Sequence, residues 1–74
     1  MKTEKYYNAL KAGREVVILG SHDQNSSVFW MAGGVICSWT RELGMMERDD
    51  MTADRFTNHC KKMLDEHCLL FIRG

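Results

Sequence analysis

The sequence predicts an α+β domain: a small, mostly antiparallel sheet of about four strands, in the order α-β-β-β-α-β, packed against two helices. Three observations carry this reading. Residues 27–39, SVFWMAGGVICSW, are two β-favouring runs around Gly33-Gly34, a pair able to take the positive φ angles of a tight hairpin turn. Residues 52–67 repeat apolar side chains at helical spacing. The chain has 74 residues, 45% of them hydrophobic, which is enough for one core and one domain spanning residues 1–74.

Taken in order, residues 3–12 suit a short helix. Thr3 is placed to cap it, Tyr6, Ala9 and Leu10 fall on one side, and Gly13 is placed to end it. EVVILG then holds four consecutive β-favouring residues, Val16 to Leu19, too few for a buried helix and stopped by Gly20. SHDQNS follows as a polar loop whose side chains can bond their own backbone.

Counting outward from Gly33-Gly34 pairs Ala32 with Val35, Met31 with Ile36, Trp30 with Cys37 and Val28 with Trp39. Alternation puts Val28, Trp30, Ala32, Val35, Cys37 and Trp39 on one face, and Phe29, Met31 and Ile36 on the other. Both faces are apolar. Two short helices can cover one face of such a sheet but hardly both, so a self-association or partner surface is expected. The alternative is that the TRELGMMERDD connection folds over the second face. Thr52 then caps the principal helix, residues 52–67, with Asp54 in its first turn, and CLLFIRG closes the chain as a strand.

Ten basic and ten acidic residues cancel, without the basic excess that neutralises phosphates, so direct nucleic-acid binding is not expected. No apolar run approaches the ~20 residues that span a membrane. Three irregularly spaced cysteines do not form a disulfide framework, and a reducing, cytoplasmic setting is the simplest reading.

The densest chemistry is NHCKKMLDEHC, residues 58–68, with two His-Cys pairs. A single helix holds a metal through ligands at i and i+3 or i+4. Cys60 and His67 are seven residues apart, about 10 Å along a helix, whereas zinc bonds are only ~2.0–2.3 Å long. His59 lies about 100° round the helix from Cys60. The stretch therefore reads as helix, with Cys60 in the core, His67 at the helix end and Cys68 opening the strand. Neither a metal nor a cofactor is expected. No catalytic constellation assembles from local spacing, and the chain is read as non-enzymatic.

Residues 8–17, NALKAGREVV, resemble the opening of small phage-encoded anti-defence proteins, among them certain anti-CRISPR and anti-Thoeris proteins. The resemblance implies a small, often oligomeric binder that inhibits by occupying a target or sequestering a signalling nucleotide, and it carries no binding residues with it.

The expected function is thus a protein-interaction module and homo-oligomer, in its most specific form a phage-type inhibitor that sterically blocks a host defence or regulatory complex. Its expected surfaces are the sheet residues Phe29, Met31, Ile36, Trp30 and Trp39 and the acidic residues Glu47, Asp49, Asp50 and Asp54. The other reading is a small-ligand or nucleotide binder with its site at a subunit interface. There Trp30 or Trp39 would stack the ligand and the loop residues Ser21, His22, Asp23 and Asn25 would cover it.

Overall fold

Five strands pair side by side in the computed structural model, which describes residues 3–20 and 26–74. The chain runs α1 (Glu4–Lys11), β1 (Glu15–Leu19), β2 (Ser27–Ala32), β3 (Val35–Thr40), β4 (Gly44–Glu47), α2 (Ala53–Asp65) and β5 (Leu69–Arg73). The sheet order is β4-β3-β2-β1-β5, and every neighbouring pair is antiparallel. The α+β class is as the sequence predicts, with one strand more.

That extra strand is β4, in the stretch expected to be irregular. Its start is set by Gly44, whose φ of 69° lies in the left-handed region. The preceding turn is held by the Leu43 amide, which donates to Thr40 Oγ1 at 3.1 Å. Met45 then stands opposite Trp39 and Met46 opposite Ser38, and the Arg48 amide extends the ladder by donating to the Ile36 carbonyl. Residues 40–50 therefore widen the sheet and do not fold over it.

The β2–β3 hairpin has the predicted register, from Ala32 opposite Val35 through to Val28 opposite Trp39. Gly33 and Gly34 have φ of 60° and 80°, the two positive angles that a type I′ turn requires.

Both helices end in the same way. After α1, the Arg14 amide reaches back to the Ala9 carbonyl and Gly13 to Leu10. After α2, Cys68 reaches back to Met63 and His67 to Leu64. This is the paired bonding of a Schellman cap, which needs a left-handed residue at its centre. Gly13 supplies it at φ 81° without strain, whereas His67 does so as an L-residue at φ 65°. At the other end of α2, Thr52 Oγ1 accepts from the Arg55 amide at 3.2 Å, the predicted cap. Thr3 does not behave as predicted: it is buried and makes no side-chain cap bond.

The helices lie on the same face of the sheet. Tyr6, Ala9 and Leu10 of α1 and Phe56 and Cys60 of α2 close a core over Val16, Ile18, Phe29 and Ile36. This corrects the expected surface at three positions. Phe29 is only 2% exposed and Ile36 3%, because they point at α2 and its surroundings and not at a partner. Met31, half-buried at the margin of the same core, belongs with them.

Candidate functional site

The face turned away from the helices has no cover among the described residues. Registers across all five strands line up Phe71, Val17, Val28, Trp39 and Met45 in one cross-sheet row. Trp30 and Cys37 form the next pair, and Leu19 and Leu69 another. Val17 and Cys37 are buried, but Trp39 is 45% exposed, Phe71 42%, Leu69 67% and Met45 70%. An antiparallel sheet that meets water on one face ordinarily alternates apolar with polar residues, and this one does so only at its corners. Arg73 Nε donates to Glu15 Oε1 at 2.7 Å at one corner, and Glu47 stands opposite Cys37 at another.

Of the residues expected on a partner surface, Trp30 and Trp39 therefore lie on the open face, and Glu47 lies at its edge. Asp49, Asp50 and Asp54 are exposed in the turn after β4 and the first turn of α2. Asp50 is engaged within the fold, since its carbonyl accepts from Arg55 Nη1 at 3.1 Å and its carboxylate lies 3.9 Å from the same nitrogen. Ser21, His22, Asp23 and Asn25 lie outside the described residues.

A second feature lies behind the sheet, on the helix side. A cavity of about 510 Å³ opens between α2 and the β2–β3–β4 part of the sheet. Phe29 and Met63 provide apolar wall, Ser27 and Thr40 hydroxyls, and Arg48 and His59 the nitrogen donors, while the exposed Glu42 and Glu66 stand at its mouth. Gly20 and Ser26, the described neighbours of the 21–25 segment, also line it. Trp30 and Trp39 are on the opposite face and do not line it.

Within the cavity, Arg48 is half-buried and its Nη1 donates to the buried hydroxyl of Ser38 at 3.4 Å. The His59 ring stands against Phe29, with centroids 5.7 Å apart. Burial first, and then the positive charges of Arg48 and Lys62, hold its pKa below the ordinary 6.5, with Glu66 opposing them. Sequence spacing could not find this site. Arg48 directly follows an edge strand that has little alternation, and His59 sits one position off the apolar stripe of α2.

The two His-Cys pairs are dispersed. Cys60 is in the core, where burial pushes its thiol up to about 12, the opposite of an activated nucleophile. His59 and Cys68 line the cavity and His67 caps α2. Among the described residues, no three His, Cys, Asp or Glu side chains gather in a group that could hold a metal ion. Comparison with protein-family models, curated proteins and solved structures gives no match for this chain.

Proposed function

We propose that this protein is a non-enzymatic interaction module that assembles through its open sheet face, with a second copy of the chain as the first occupant. The observation that carries the reading is the apolar Phe71-Val17-Val28-Trp39-Met45 row, which crosses the whole sheet and leaves Phe71, Trp39 and Met45 exposed. At ~4.8 Å between strands and ~3.3 Å per residue the face measures roughly 20 by 17 Å. Two such faces stacked ~10 Å apart would form a two-sheet sandwich. Trp39 and Phe71 are the large aromatic anchors that interfaces favour.

In its most specific form the module is a phage-type inhibitor that sterically blocks a host defence or regulatory complex. Assembly through the open face leaves the exposed acidic residues Glu47, Asp49 and Asp54 on the periphery, where they suit a target with a basic working channel.

Light scattering and native mass spectrometry test the reading. The expected result is a dimer or larger species that Trp39→Glu or Phe71→Glu converts to a folded monomer. A wild-type chain that stays monomeric at high micromolar concentration overturns it, as does an oligomer that both substitutions leave intact.

A further inference from the structure

The cavity between α2 and the β2–β3–β4 part of the sheet lies on the side opposite the proposed assembly face and does not depend on it. We propose that this cavity is a binding site for a small molecule with an apolar, ring-sized body and a single oxyanion, a phosphate or carboxylate, seated on Arg48. Its volume of about 510 Å³ falls within the ~300–1,000 Å³ of small-molecule sites. Its make-up also fits that class, an apolar wall with a few convergent polar groups.

Arg48 sets the chemistry. Its guanidinium carries five N–H donors in a planar fork suited to bidentate capture of an oxyanion. Among the described residues its side chain makes one bond, to the neutral Ser38 hydroxyl at 3.4 Å, and no carboxylate lies within ion-pair distance. A half-buried cation with most of its donors uncommitted, facing a cavity, is poised for an anionic group. The Ser27 and Thr40 hydroxyls line the same space and add donors; the Thr40 oxygen already accepts from Leu43, which leaves its hydrogen to give. The half-buried His59 ring, held against Phe29, and the half-buried Met63 offer surface to a ring-sized body.

Glu42 and Glu66 restrict the ligand further. Both are exposed at the mouth, where water and salt weaken them against the half-buried Arg48. They still disfavour additional negative charge, which selects one oxyanion over a polyphosphate or a nucleic-acid backbone.

Amide-resolved NMR titration with phenyl phosphate, benzoate, benzyl alcohol and benzylamine tests the proposal. The expected result is saturable shifts at Phe29, Ser38, Arg48 and His59, with either anion binding at least ~10-fold more tightly than benzyl alcohol, the order of a charge-assisted contact. Arg48→Gln should erase that advantage. Met63→Trp, which fills the cavity from α2 and keeps Arg48, should block all the ligands, and it decides the matter if Arg48→Gln fails to fold. Equal binding of anion and alcohol overturns the proposal, as do tightest binding by benzylamine and shifts that map to Trp39 and Phe71. Trp39→Glu should leave the cavity titration unchanged, so failure here is separable from failure of the assembly face.

Discussion

The ring of Phe29, on β2, meets the ring of Phe56, on α2, edge-on, with centroids 5.3 Å apart and planes at 63°. This contact decides which of two apolar sheet faces becomes the core. Phe56 is fully buried, so Phe56→Ala removes a large side chain from a packed site at a cost of about 3–5 kcal/mol. A small domain holds only ~5–15 kcal/mol in total, and this one should melt at or near room temperature. Phe29→Asp should unfold the chain outright, while Trp39→Glu on the other face keeps the circular dichroism spectrum of the wild type. A folded Phe29→Asp protein would show that the core has been assigned to the wrong face.

The left-handed His67 is a local cost that the cap of α2 carries. Left-handed backbone costs an L-residue about 1–2 kcal/mol and glycine almost nothing. His67→Gly should raise the midpoint of urea unfolding by the equivalent of about 1 kcal/mol, and Gly13→Ala at the matching position of α1 should lower it by a similar amount. Unchanged midpoints would mean that the Schellman geometry is not maintained in solution.

Cys60 should be inert. Its folded thiol loses its proton near pH 12, against an ordinary 9.0. At pH 8 a disulfide reagent should therefore label the half-buried Cys68 and leave Cys60 untouched until the chain unfolds. Above pH 9 the unfolded chain sheds this proton while the folded chain keeps it. Stability should then fall with rising pH, by at most about 1.4 kcal/mol per unit. Cys60→Ala should flatten that slope.

His59 acts at the other end of the pH scale. Its folded pKa is lowered, first by burial and then by Arg48 and Lys62, with Glu66 acting the other way. The unfolded chain accordingly takes up a proton first, and stability should decline as pH drops below about 6.5 and level off once the folded imidazole is also charged. His59→Phe should remove that acid loss in urea titrations at pH 7 and pH 5. Equal losses in both proteins would assign the effect to other groups.

The parts of the fold that were legible in the sequence are those with local causes. Gly33-Gly34 dictates a turn, the turn dictates a register, and every pair from Ala32–Val35 to Val28–Trp39 follows. Thr52 and the Phe56-Cys60 spacing announce α2 in the same way. What could not be read locally was which face the helices choose, because Phe29, Met31 and Ile36 are as apolar as Trp30, Val35 and Cys37. β4 was hidden because Met45 and Met46 are adjacent and both apolar, so no alternation marks it. The cavity was hidden because Arg48 and His59 converge only after β4 has joined the sheet and α2 has crossed it.

The pairing of β5 with β1 joins Arg73 to Glu15, ion pair included, across 58 positions of sequence. The β2–β3–β4 meander, by contrast, closes through short turns. Loop-closure entropy makes the distant pairing the slow one, so the meander should nucleate folding and β1 should hold an open edge until β5 docks. During that interval the β5-facing edge of β1 presents unpaired backbone beside apolar side chains, the arrangement from which strands exchange between molecules. Crowded refolding should therefore favour dimers that trade β5, distinct from face-to-face stacks because they separate only when the chains unfold.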